Sequence, residues 1–255
     1  MGTWRFIDTG ELAGPLNMAV DEALLACFDP TRSRPIFRLY GWSPPAISLG
    51  RFQTPGDVLD LSRCEAAGLP VVRRITGGGA IYHAEELTYS LVCTPRQIPA
   101  AVSVKESFRA LTRFICRFYE MLGLDALYAV NHFPPGTRLG ERTPFCFAGK
   151  ETYDILVRGK KIGGNAQRRL KKVIFQHGSI PLVNHAVFGA AFLREPPAGV
   201  EEGTGALADF GVVRPRDELV RLLAAAFAES IPVRLEESAL TGEEEEQATL
   251  LVENR

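Results

Sequence analysis

"VVRRITGGGAIYHAEELTYS", residues 71–90, sets two apolar runs on either side of three consecutive glycines. A doubly wound nucleotide-binding fold would place G-x-G-x-x-G after a strand and open a helix with it. Here the glycines are contiguous, and strand-like residues, Ala80 to His83, follow them. The pattern therefore predicts strand, turn and strand. "LPVVRRIT", "GAIYH" and "ELTYSLVC" read as three adjacent strands. Arg73 and Arg74 fall on opposite faces of the first, so at most one of them looks into a site opened by Gly77, Gly78 and Gly79. Bare glycine backbone bends sharply and brings N–H groups close to a ligand, and an arginine beside it suits a phosphate or carboxylate. A glycine-rich hairpin with surface arginines fits the same residues. His83 fits a satisfied core position as well as a catalytic one.

Upstream, "GPLNMAVDEALLACF" carries Leu16, Val20, Leu24 and Cys27 at helical spacing. Downstream, Ser103 and Glu106 form a capping box ahead of a helix whose stripe is Phe108, Leu111, Ile115, Phe118 and Leu122. "NHFPPGTRLGERTP" is turn-rich. "ETYDILVRGKKIGGNAQRRLKKVIFQHGSIPL" predicts two or three strands with tight turns at Arg158–Gly159 and near Leu170–Lys171. Clustered strands without regular βα alternation predict an α+β protein, a mixed β-sheet packed by helices. No repeat or linker interrupts the chain. The expectation is one domain over residues 1–255, ending in a short acidic helical extension from about residue 232, with "TGEEEEQATLLVENR" as a solvated helix.

Composition narrows the function. The chain has 255 residues, 46% hydrophobic and 23% charged, which supports a substantial core. A net charge of -1 gives no bulk electrostatic case for nucleic acid. No signal-peptide pattern and no run of about 18 apolar residues points to a membrane. Five cysteines without CxxC spacing suit reduced thiols in the cytoplasm, and four scattered histidines show no metal-ligand spacing.

A second stretch, "RGKKIGGNAQRR" (residues 158–169), places Lys160 and Lys161 on opposite strand faces. An inward Lys161 beside Gly163, Gly164 and Ala166 needs an anionic partner, such as a ligand carboxylate, a phosphate or a thiolate. Two solvated lysines on a hairpin fit equally. The third is "TPFCFAGKE" (residues 143–151). Cys146, between Phe145 and Phe147 and ahead of Lys150, is either a small apolar filler or a thiol that forms a bond. Cys27 and Cys116 sit in helical apolar patterns and Cys93 ends a strand, so these read as packing.

Taken together, "NMAVDEALL", "RRITGGGAIYH", "GKKIGGNAQ" and "QHGSI" resemble the lipoate/octanoate branch of the biotin–lipoate protein ligase superfamily, in order and spacing over roughly residues 4–185. The resemblance implies that superfamily's class II synthetase-like catalytic fold, with the acyl chain in a buried channel. It puts Lys161 in the site and assigns Arg74, Gly77, Gly78, Gly79, Tyr82 and His83 to the acyl- or nucleotide-binding segment. Gly163, Asn165 and Ala166 are expected beside them. Asn165 stands where a serine is common.

The branch holds two chemistries. Ligases activate a free acid with ATP and Mg2+. Octanoyltransferases take octanoate from acyl carrier protein through a cysteine thioester and need no cofactor. "AEELTYS" resembles the transferases, and "PFCF" falls where one class of them keeps its nucleophile. The resemblance therefore implies Cys146 as nucleophile, with Lys161 favouring the thiolate, helping to hold the oxyanion and relaying a proton in its neutral form; His83 is a second relay candidate. Octanoyl-acyl carrier protein is the implied donor, and a lipoyl domain or glycine-cleavage H protein the acceptor. An ATP-dependent lipoate ligase and a non-catalytic acyl-protein binding module are the alternatives.

Overall fold

The computed structural model describes residues 2–98, 103–134, 137, 139, 144–146, 149 and 151–254. Phe147, Lys150 and most of the turn-rich loop before Pro144 lie outside the described residues. In chain order the elements are β1 (Gly2–Leu12), α1 (Gly14–Ala26), β2 (Ile36–Trp42), β3 (Ala46–Leu49), α2 (Pro55–Val58), α3 (Leu61–Ala66), β4 (Val71–Arg73), β5 (Ile81–His83) and β6 (Glu86–Cys93). Then come α4 (Val104–Met121), β7 (Ala126–Tyr128), α5 (Ala129–His132), β8 (Ile155–Val157), β9 (Lys160–Lys161), β10 (Gly164–Arg169) and β11 (Ile174–Pro181). The remainder holds α6 (Ala186–Ala190), α7 (Val200–Gly203), α8 (Arg216–Ser230), β12 (Val233–Glu237) and α9 (Gly242–Glu253).

The main sheet has the order β10-β11-β6-β2-β1-β12. β12, β1 and β2 run parallel, while β2, β6, β11 and β10 are successively antiparallel. This is the mixed α+β architecture expected. Strand alternation divides the sheet's side chains between two helical layers. Phe37 and Leu39 join Phe114 of α4 and Phe227 of α8 in the larger core, where Phe37 stacks on Phe227 at 4.3 Å. Ile36 and Ile7 face α1 and α9. The capping box at Ser103 and Glu106 forms as predicted and starts α4.

Two expectations need correction. The strands flanking the glycine triplet are not neighbours. The fully buried β3 pairs with both, parallel to β4 and antiparallel to β5, while β6 belongs to the main sheet. Gly77–Gly79 therefore cross from one side of β3 to the other instead of closing a hairpin. Residues 233–237 are likewise no appendage, because β12 extends the main sheet beside β1. α9 is also docked rather than free in solvent. Glu244 is buried and takes Arg5 at 2.6 Å, and Ala248 packs with α1.

The buried face of α1 is not the apolar stripe alone. Leu16 is exposed, whereas Asn17 and Asp21 are buried. Asp21 takes Arg38 Nη1 at 2.7 Å, Tyr40 OH at 2.8 Å and Ser90 Oγ at 2.7 Å, and Asn17 Oδ1 accepts from Arg38 Nη2. This saturated polar cluster ties α1 to β2 and β6, and both of its charges are paired.

Candidate active site

A cavity of about 490 Å³ opens between the main sheet and the β4-β3-β5 sheet. Met18, Tyr40, Trp42 and Ile81 supply its apolar lining. Its polar lining includes Arg74, Gly77–Gly79, His83, Cys146, Lys161, Asn165, Ala166 and His177. The structure thus gathers both glycine-containing stretches and Cys146 around one space.

Lys161 reaches it because Arg158 and Gly159, at φ +49° and +80°, make the tight turn between β8 and β9. Lys160 then points outward, to the Glu201 carbonyl at 3.2 Å. Lys161, 2% exposed, donates to Asp154 Oδ2 at 2.7 Å, to the Cys146 carbonyl at 2.7 Å and to the Gly149 carbonyl at 2.9 Å. An ammonium has three protons, so all are engaged. Burial works against the charge, but Cys146 and Asp154 outweigh it and hold Lys161 above its ordinary value. This corrects the expected neutral-lysine relay, because the geometry favours a fixed ammonium. The anionic partner expected from a ligand is Asp154, a residue of the chain itself.

Arg74 is also 2% exposed, and Arg73 takes the outer face, bonding to the 50–53 turn. Arg74 Nη1 donates to Ser48 O (3.0 Å) and Ser48 Oγ (3.1 Å), and Nη2 to Gly77 O (2.9 Å) and Gly79 O (2.6 Å). Its Nε is buried without a partner, and no carboxylate pairs with it among the described residues. Burial pushes the guanidinium down to about 10, with Cys146 pulling the other way.

Cys146 is half-buried and held through its backbone. Its N–H donates to Ala80 O at 3.0 Å, and Pro144 O accepts from Ala80 N–H (2.8 Å) and Gln53 Nε2 (2.9 Å). The sulfur lies over Gly164, where an added Cβ would stand 3.0 Å from Sγ. Glycine at 164 thus makes room for the thiol. The other cysteines lie outside the cavity lining. Burial raises the thiols of Cys64 and Cys93, and that of Cys116 to about 11.

His83 stacks on Trp42 at 3.9 Å. Its Nδ1 meets Glu86 Oε1 at 2.9 Å and its Nε2 meets Ser48 Oγ at 2.7 Å. His177 bonds Thr76 Oγ1 at 2.7 Å, and its Nδ1 lies 3.7 Å from Asp21 Oδ2. Asn165 lines the cavity and accepts from Tyr89 OH at 2.7 Å.

Two expected site residues are not in the cavity lining. Tyr82 alternates to the other face of β5 and packs against Phe188 and Phe192. Gly163 serves the backbone, at φ +101°, and an added Cβ would lie 2.2 Å from Ser179 O. Asp154, His177, Thr76 and Ser48 were missed. Thr76 and His177 lie within the stretches that carry the resemblance, whereas Asp154 and Ser48 are common polar residues with no spacing pattern, brought to the site by the tertiary fold alone.

The chain belongs to the lipoyl protein ligase A/B catalytic domain family, whose model matches residues 14–228. Among its relatives, octanoyltransferase LipM of Kyrpidia tusciae is 38% identical over 99% of this chain and 96% of that protein. Octanoyltransferase LipM of Oceanobacillus iheyensis is 31% identical over 98% and 93%. A lipoate-protein ligase A bound with ATP superposes with TM-score 0.81 at 26% identity, covering 100% of this chain and 95% of that one. A bi-partite lipoate protein ligase from Thermoplasma acidophilum gives 0.81 at 25%, covering 100% and 94%.

Proposed function

We propose that the protein is an octanoyltransferase of lipoate biosynthesis that carries octanoate as a thioester on Cys146. The observation that carries this mechanism is the placement of the Cys146 sulfur in the cavity over Gly164, with Lys161 fastened to the same residue's carbonyl. Thiolate is the attacking form of cysteine. The sulfur attacks the thioester carbonyl of octanoyl-acyl carrier protein. A new C–S bond forms, and the carrier thiolate leaves with the proton that Cys146 gave up. An acceptor lysine, on a lipoyl domain or glycine-cleavage H protein, then attacks the acyl-enzyme. The C–N bond forms, the C–S bond breaks, and the amine proton ends on the Cys146 sulfur. Neither step calls for a nucleotide or a metal.

Exposed Lys105, Arg109, Arg113, Lys171 and Lys172 give α4 and the end of β10 a basic surface suited to an acidic carrier. Five free cysteines suit a reducing, cytoplasmic location. No helix among the described residues is long and apolar enough to cross a membrane.

The test is mass spectrometry of the protein incubated with octanoyl-acyl carrier protein, with and without ATP and Mg2+. The expected result is one octanoyl adduct on Cys146 without nucleotide, absent in Cys146→Ala together with transfer. Full activity of Cys146→Ala, dependent on ATP and free octanoate, would make the protein a ligase, as its structural neighbours are named.

A further inference from the structure

The N–H groups of Gly77, Gly78 and Gly79 line the cavity and meet no acceptor among the described residues, and Arg74 fixes which way that of Gly78 faces. A trans peptide holds its N–H and C=O on opposite sides. Arg74 Nη2 takes the carbonyls of Gly77 and Gly79 together, so the N–H groups of Gly78 and Ala80 both point away from the guanidinium. The Ala80 N–H ends on Pro144 O at 2.8 Å, two residues before Cys146. The Gly78 N–H meets no acceptor among the described residues, and Gly78 lines the cavity that the Cys146 sulfur enters. Lys161, the side-chain donor expected at the oxyanion, has no proton to spare. Arg74 is itself aimed by Ser48, whose hydroxyl accepts from Nη1 and meets His83, which is fixed in turn by Glu86.

We infer that the Gly78 N–H is the oxyanion donor of the acyl-transfer step and that Arg74 is the positioning residue that turns it toward Cys146. This rests on the proposed thioester chemistry. As the Cys146 sulfur bonds to the acyl carbon, the carbonyl π electrons move to oxygen, and the oxyanion accepts from Gly78. Collapse returns the electrons, breaks the carrier C–S bond and releases the carrier thiol. Glycine is required at 78 because φ is +96° and an added Cβ would stand 2.9 Å from Arg74 Nη2.

Arg74→Lys keeps the charge but not the fork that grips both carbonyls. The variant is expected to slow acylation by about 100-fold or more, with the KM for octanoyl-acyl carrier protein within about threefold of wild type. Iodoacetamide alkylation of Cys146, which forms no oxyanion, should proceed near the wild-type rate. The infrared carbonyl band of the octanoyl-enzyme should lie at lower frequency in wild type, where the carbonyl is hydrogen-bonded, than in the variant. Gly77→Ala is the second probe. Its methyl meets nothing within 4 Å, so the fold stands, but it enters the space beside Gly78 and should slow acylation without lowering the melting temperature. Wild-type acylation rate and an unmoved carbonyl band in Arg74→Lys, or an undisturbed Gly77→Ala, would overturn the assignment while leaving the thioester intact. A wild-type protein that forms no adduct would overturn both.

Discussion

Lys161 and Arg74 are equally buried cations in the lining of one cavity, each beside glycines, yet among the described residues only one of them is paired with a carboxylate. Lys161 has the Asp154 carboxylate at 2.7 Å. Arg74 has three carbonyls and a hydroxyl, all neutral. Accordingly Lys161 is held above its ordinary pKa, while Arg74 is pushed down to about 10. A compensated cation can fix a backbone without drawing in an anion. An uncompensated one gains most when negative charge arrives with the substrate or develops on it.

The largest effect should come from breaking the compensated side. Lys161→Ala should slow acyl transfer by about 100- to 1,000-fold. It also strands the buried Asp154 carboxylate, at a cost of roughly 3–5 kcal/mol, seen as a melting point lower by roughly 10 °C. Lys161→Met with Asp154→Leu should recover the melting point and not the activity. Wild-type transfer by folded Lys161→Ala would remove the lysine from the mechanism.

On the uncompensated side, octanoate should stabilise the protein more than octan-1-ol at the same concentration, since only the acid brings a charge to Arg74. At about 100 times its Kd a ligand adds about 2.7 kcal/mol, or roughly 5–10 °C in a melting experiment. Equal shifts for acid and alcohol would mean that Arg74 already has its counter-charge.

The smallest effect uses His177 as a reporter beside Arg74. Burial chiefly lowers its pKa, Arg74 and His83 add to that, and Asp21 opposes it. The unfolded chain takes up this proton near pH 6.5, the folded protein only at lower pH. Stability is therefore complete above about pH 6.5 and falls with acid below it, by at most about 1.4 kcal/mol per pH unit. Melting curves at pH 7.5 and 5.5 should show this loss, and His177→Gln should reduce it. An unchanged loss in the variant would assign the acid sensitivity elsewhere.

Much of this was legible in the chain. The strand periodicities and the Ser103 cap foretold the α+β architecture, and alternation put the members of Arg73–Arg74 and Lys160–Lys161 on opposite faces, so that at most one of each pair could turn inward. The failures share a cause. β3 inserts between β4 and β5, and β12 pairs with β1; such long-range pairings leave no local trace in a sequence. Asp154 and Asp21 were not singled out, because a partner distant in sequence is invisible to periodicity. Tyr82 was assigned with its motif as a block, although its neighbour His83 takes the cavity side of the same strand.

The pairing of Gly2 with Val233 has a consequence for biosynthesis. A polypeptide emerges from the ribosome N-terminus first, and domains generally fold as units during that process. β1 can join β2 early, but its other edge stays open until nearly the whole chain has been made. Closing so long a loop costs conformational entropy before any contact rewards it, and contacts of this span slow folding. Arg5 must wait likewise for Glu244. The nascent chain therefore carries an unpaired strand edge through most of its synthesis, and truncation at residue 232 would make that exposed, aggregation-prone intermediate permanent.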